Sequence, residues 1–283
     1  MRVGRKIWAL VALVLIACGV GFGLVGFAMA GFDVTKLNSG GREVTNEHVI
    51  TEDFSKIEIS TSVADVRFET ATDGKAKVVC VESEKLVHDV KVQDGTLIIK
   101  ETSKKKWFEY IGFFNFGSTK KEVVVYLPEK KAEGTTRKLS SETKYMLDGL
   151  KVETSTGDVK LNDLSVKGEL KIDVSTADLN LSNVVADSMI IDTSTGSVTM
   201  DATEVLGNLK INTSTGDVKL TRCDADSVRI DTSTGDVTCE FLSGKTIRTD
   251  TSTGTVKLPS ETAQGGDCVI DTSTGDITVT YGK

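Results

Sequence analysis

The sequence predicts an all-β protein: a parallel β-solenoid, or β-helix, of about 20-residue rungs behind an N-terminal transmembrane helix. Three observations predict it. An uncharged stretch follows a basic N-terminus, a DTSTGDV-like heptapeptide recurs seven times, and apolar residues alternate at period two on both sides of each copy.

Arg2, Arg5 and Lys6 form a basic end, 1–6, and the stretch 7–32 has no charged residue before Asp33. About 20 apolar residues span a bilayer as a helix, so 7–32 is read as a single-pass anchor. The positive-inside rule leaves the N-terminus cytoplasmic and exports the rest. Two alternatives stay open. Ala28-Met29-Ala30 has the form of a signal-peptidase site, and Leu15-Ile16-Ala17-Cys18 resembles a lipoprotein signal, although a second apolar run would then follow the cysteine. Gly19 and Gly23 form a GxxxG pair, a weak signal in a Gly-rich segment. Every version puts residues 33–283 outside the cytoplasm, at the cell membrane, with 33–49 as a linker.

Composition narrows the function classes. A net charge of -7 argues against nucleic-acid partners. Two prolines with 26 glycines suit short strands and tight turns. The exported cysteines, Cys80, Cys223, Cys239 and Cys268, lack metal-ligand spacing, and no metal or cofactor is expected.

The copies begin at Glu153, Asp173, Asp192, Asn212, Asp231, Asp250 and Asp271, at spacings of 20, 19, 20, 19, 19 and 21 residues; a degenerate copy starts at Ser60. Three residues before each start stand Leu150, Leu170, Met189, Leu209, Val228, Ile247 and Cys268. One before stand Val152, Ile172, Ile191, Ile211, Ile230, Thr249 and Ile270. After the S-T-G-D corner the alternation resumes, from Val159 and Leu161 in the first copy to Ile277 and Val279 in the last. These columns define 148–283 as a regular solenoid whose stacked rungs bury one core. An antiparallel meander would not need identical residues at one fixed phase. The preference of parallel crossovers makes the expected coil right-handed. Cys239 and Cys268 fall in apolar columns and Cys223 in a corner column with Leu164, Val184 and Leu242, so they read as small buried hydrophobes.

Outward, an acidic column at the motif start (Glu153, Asp173, Asp192, Asp231, Asp250, Asp271) runs beside a basic one (Lys151, Lys171, Lys210, Arg229, Arg248). Acidic ladders can bind calcium, but interleaved opposite charges read better as a charge-balanced face.

Residues 50–128 read as an irregular N-terminal part of the same solenoid, with Ile57, Ile59, Val66 and Phe68 at core phases and Asp94-Gly95 as a tight turn. Residues 129–147 read as an inserted loop. Within the loop 104–121, Trp107, Phe108, Tyr110, Phe113, Phe114 and Phe116 lie between lysines. They are the candidate partner- or membrane-binding residues, with a cap over the open end of the stack as the structural alternative.

No phosphate-binding loop, HExxH or GxSxG motif occurs, and His88-Asp89 would point to opposite faces of a strand. Catalysis is not expected. The DTSTGDV copies, with VVVYLP at Val123–Pro128, resemble the bacterial "putative adhesin" family of β-strand-repeat proteins over roughly 50–128 and 149–280. The resemblance implies a β-solenoid at the cell envelope beside a membrane anchor, with some relatives associated with envelope-stress systems; it supplies no catalytic residues. The insertion at 129–147 departs from the family's direct junction. The expected function is a binding, adhesion-type or scaffolding module with a cell-surface or envelope protein or glycan as ligand. The alternative is an envelope-stress sensor acting on a membrane partner, and a polysaccharide-active enzyme is remote.

Overall fold

The computed structural model describes residues 43–84, 86–103, 121–129, 145–260 and 265–282, with Gly19 and Gly21. Among the described residues nineteen strands form one hydrogen-bonded sheet. The N-terminal strands are β1 (Glu43–Val49), β2 (Lys56–Thr61), β3 (Asp65–Thr70), β4 (Lys77–Ser83), β5 (Leu86–Gln93), β6 (Thr96–Ser103) and β7 (Glu122–Leu127). The repeats follow as β8 (Tyr145–Leu147), β9 (Gly149–Thr156), β10 (Val159–Thr176), β11 (Leu179–Thr195), β12 (Val198–Asp201), β13 (Glu204–Thr215) and β14 (Val218–Thr234). The chain closes with β15 (Val237–Phe241), β16 (Lys245–Thr253), β17 (Val256–Lys257), β18 (Gly266–Thr274) and β19 (Ile277–Tyr281). Among the described residues no helix is long and apolar enough to cross a membrane; apart from the two glycines, the expected span 7–32 lies outside them.

Each repeat pairs in parallel with its neighbours at the register the columns require: Leu170 faces Leu150 and Met189, and Ile172 faces Val152 and Ile191. Parallel neighbours are about 4.8 Å apart, so each column is a row of touching apolar side chains. Val152, Ile172, Ile191, Ile211, Ile230 and Ile270 are all fully buried. Each repeat also has a short third side, where Leu164, Val184 and Cys223 face inward. In that row Cys223 pairs with Phe241, not Leu242, which is exposed. The four described cysteines are buried and free, and burial pushes the thiols of Cys80, Cys223 and Cys268 up to about 12.

The S-T-G-D corner does more than turn the chain. The threonine after the motif start is buried in five copies (Thr154, Thr193, Thr213, Thr232, Thr272), in a row that the buried Val174 shares. The glycines adopt left-handed φ, 145° at Gly216, where a Cβ would stand 2.1 Å from the Gly196 carbonyl oxygen of the next rung. The aspartate links rungs. Asp158 N–H donates to Asp65 Oδ1 (3.0 Å), Asp178 N–H to Asp158 Oδ1 (3.1 Å), Asp236 N–H to Asp217 Oδ1 (2.8 Å) and Asp276 N–H to Asp236 Oδ1 (2.8 Å). Asp217→Ala is therefore expected to lower stability by about 1 kcal/mol, while Thr255→Ala, whose rung has no described rung beyond it, leaves the melting midpoint unchanged; chemical denaturation of the two variants checks the difference.

The rungs do not stack in chain order. Asp271 pairs with Asp231 on one side and with Asp250 on the other, so the last repeat lies between the fifth and the sixth. The Asp250 repeat forms the end of the stack, where Val256 and Leu258 are 39% and 45% exposed. It also departs from the pattern, with Thr249 in the isoleucine column and Thr255, like Ser197 of the Asp192 copy, in place of the ladder's aspartate. An end rung has one face to bury and no neighbouring amide to receive.

The degenerate Ser60 copy is a rung, pairing Ile57 with Leu150, Ile59 with Val152 and Ser60 with Glu153. Beyond it β6 and β7 pair in parallel with β2 and β3. The next layer changes direction: β4 runs antiparallel to β7 and β1, and β5 antiparallel to β6. The N-terminal part is thus not a continuation of parallel rungs throughout. Asp94 and Gly95 take φ of 50° and 72° in the expected β5–β6 turn. Two further expectations are corrected. The segment read as linker contains β1, which pairs antiparallel along the whole of β4, its side chains alternately exposed and half-buried. The segment read as an inserted loop ends in β8, where buried Tyr145 and Leu147 supply the third side of the first regular rung.

Candidate functional site

The rungs are nearly uniform, so irregularity marks the place to look. It lies at the corner where β6 ends at Ser103 and the described chain resumes at Lys121. The aromatic candidates Trp107, Phe108, Tyr110, Phe113, Phe114 and Phe116 lie outside the described residues. The residue that follows them, Lys121, is described, and its carbonyl accepts from Asp65 N–H (3.0 Å) beside the Ser60 corner.

Under this corner is a buried polar cluster. Val78, Cys80 and Glu82 share the inward face of β4 by period-two spacing, all at most 1% exposed. Glu82 is a carboxylate at an apolar phase, and its partner is His88 on β5, 5% exposed. Glu82 Oε2 accepts from His88 Nδ1 and from the His88 backbone N–H, both at 2.7 Å, and Asn46 Nδ2 donates to Glu82 Oε1 at 2.5 Å. On the far side of the ring His88 Nε2 meets Thr61 Oγ1 at 3.2 Å, and Thr61 Oγ1 donates to Glu101 Oε2 at 3.1 Å. Thr61 has one proton and Glu101 takes it, so the hydrogen-bonding pattern has His88 Nε2–H donating to Thr61. Glu101 Oε2 also accepts from Ser62 N–H at 3.2 Å. The Cys80 thiol, the Glu82 carboxylate and a His88 ring nitrogen lie within 4.8 Å of one another, the described His/Cys/Asp/Glu group best arranged to hold a metal ion.

Glu101 is also exposed to a groove of about 340 Å³ on the outer surface. Its lining alternates hydroxyls and carboxylates across three rungs, from Ser60 and Ser62 to Glu153, Ser155, Asp173 and Ser175. Part of the charge is balanced, since Lys151 Nζ lies 2.7 Å from Glu153 Oε1. Farther along the stack Arg229 bridges Asp231 (2.7 Å) and Asp271 (3.4 Å). These exposed pairs hold the acidic and basic columns together as the sequence suggested, each worth about 0.2–1 kcal/mol. A second cleft of about 410 Å³, lined by Val49, Phe54, Leu127, Pro128, Tyr145 and Leu147 among others, lies near the other end of β7.

Sequence reasoning placed function in the aromatic segment and considered His88 only beside Asp89. The structure joins His88 to Glu82, Cys80, Thr61 and Glu101. The available signal was Glu82 itself, a charged residue continuing the inward phase of Val78 and Cys80.

The site and the strand layers around it are those of an all-β protein with a polar seam between its regular and irregular rungs. The chain belongs to the Toastrack DUF4097 family, which matches residues 54–283. Among solved structures it is similar to a "putative adhesin" from Bacteroides fragilis, at 15% identity over 84% of this chain and 97% of that one, TM-score 0.44. A "putative adhesin" from Parabacteroides distasonis is 17% identical over 84% and 98%, TM-score 0.44. A "putative lipid binding protein" from the same species is 18% identical over 86% and 98%, TM-score 0.32. No curated protein matches.

Proposed function

We propose that the chain is a membrane-anchored, extracytoplasmic β-solenoid of stacked rungs that acts as a binding or adhesion-type module at the cell envelope, recognising a polyhydroxylated, glycan-like ligand without catalysing a reaction. The observation that carries this reading is the hydroxyl- and carboxylate-lined groove over the Ser60, Glu153 and Asp173 rungs. Elsewhere several of the described motif positions hold rungs together, through buried threonines, cross-rung aspartates and surface ion pairs. Alternating hydroxyls and carboxylates offer the paired donors and acceptors that sugar hydroxyls need. The parallel in-register pairing supports the solenoid, and the uncharged 7–32 stretch supports the anchor. The described thiols and His88 are buried, which supports binding over catalysis.

Pull-down of the full chain on purified envelope glycan tests the reading. Asp173→Ala combined with Ser175→Ala is expected to weaken capture about 10-fold, or about 1.4 kcal/mol, with unchanged melting. Equal capture by the double variant would sink the groove. Loss of envelope signalling in Trp107→Ser/Phe108→Ser, with glycan capture intact, would favour the sensory alternative.

A further inference from the structure

We propose that Cys80, Glu82 and His88 form a binding site for a zinc-class divalent ion, seated inside the stack beneath the Ser60 corner; the inference does not rest on the ligand of the groove. Three features carry it. One is the donor set: a thiol, a carboxylate and an imidazole, with one atom of each within 4.8 Å of the others. That mixture of soft sulfur, borderline nitrogen and hard oxygen suits zinc and its neighbours, whereas calcium and magnesium favour oxygen alone.

Another is rigidity. Cys80 and Glu82 stand two residues apart on β4, and β4 is hydrogen-bonded on both sides, to β1 and β7. His88 is on β5, joined to β4 by the Ser83–Leu86 pair. The three donors are therefore set by backbone pairing and not by flexible loops, and they are screened from bulk solvent: the Glu82 and His88 side chains are each 1% exposed.

The last is the outer ring of hydrogen bonds. A ligating histidine characteristically donates its second ring N–H to an oxygen acceptor, and a ligating carboxylate has its free oxygen held. Here His88 Nε2 meets Thr61 Oγ1, which is itself tied to Glu101, while Asn46 holds Glu82 Oε1. His88 Nδ1 and Glu82 Oε2 remain, 2.7 Å apart, bridged by one proton. A divalent ion would take that proton's place, with the Cys80 thiol giving up its own as it binds. Three protein ligands leave the fourth tetrahedral position to water.

The experiment titrates chelator-stripped full chain with Co²⁺ alone, then displaces it with Zn²⁺. The expected result is one equivalent bound, with a thiolate-to-cobalt charge-transfer band and tetrahedral visible bands that Zn²⁺ abolishes. Cys80→Ala, a small change at a buried position, should remove the charge-transfer band. Thr61→Val, which keeps shape and removes only the outer hydrogen bond, should weaken Co²⁺ binding about 10–100-fold. A folded chain that shows no charge-transfer band, or a band that survives in Cys80→Ala, would overturn the site. So would a Thr61→Val variant that binds like wild type. The fold of every variant is checked by its circular dichroism and melting midpoint, so loss of the site is read separately from loss of structure.

Discussion

Ile211→Asp is expected to leave no cooperatively folded stack. Ile211 is fully buried and lies in register between Ile191 and Ile230, with apolar neighbours above and below. Removing its burial costs about 1.5–3 kcal/mol, and placing a carboxylate there adds several more, since no described cation reaches the column. The sum rivals the whole stability of an ordinary domain, about 5–15 kcal/mol. Because rungs lean on one another, the damage should spread to both sides of the break. The check is a thermal and urea melt of the purified chain; a wild-type midpoint would mean that the column faces solvent.

The second large effect separates two stacking orders that the repeat spacing alone cannot tell apart. If rungs stacked in chain order, position 270 would lie in the end rung and position 249 one layer in. In the observed order Ile270 is fully buried between Ile230 and Thr249. Ile270→Asp should therefore be as damaging as Ile211→Asp, a loss of at least about 5 kcal/mol. Thr249→Asp, in the half-buried end rung, should cost no more than about 1–2 kcal/mol. Denaturant midpoints for the pair decide the matter, and the reverse ranking would restore chain order.

Much of the fold is legible because the repeat writes it many times over. A column such as Val152 to Ile270 gives the strand period, the buried face and the parallel register together, since only stacking places one residue type at one phase every 19 to 21 positions. Where the repeat ends, so does the redundancy. The reversal of β4 and β5 hangs on pairing partners that share no motif, and β8 is three residues long, too short for a period to show. The order of the last two rungs has a less obvious trace in the sequence, Thr249 in a column that is otherwise valine or isoleucine.

The candidate site was harder to read for a related reason. Its donors come from β4, β5, β2 and β6, and Thr61 meets His88 across 27 positions of chain. Spacing rules for metal or catalytic motifs look for ligands at set intervals, and Cys80, Glu82 and His88, though close in the chain, match none of those intervals. Histidine beside aspartate at 88 and 89 drew attention to the wrong neighbour, because alternation sends Asp89 outward and leaves His88 facing Glu82 across the β4–β5 turn.

The displaced last rung has a bearing on biogenesis. A chain whose layers follow its sequence can zip up progressively as it emerges from a ribosome or an export channel, each new layer templated by the one before. Here that progression halts after the Asp231 layer. The strands of residues 245–257 emerge next, yet their hydrogen-bonding partner is 266–281, which has still to arrive. They must wait beside an open edge until the later segment slides in between. Closure of the stack is in this sense a clasp: it engages late, joins two stretches in one step, and reports that the chain has been delivered at least as far as Tyr281.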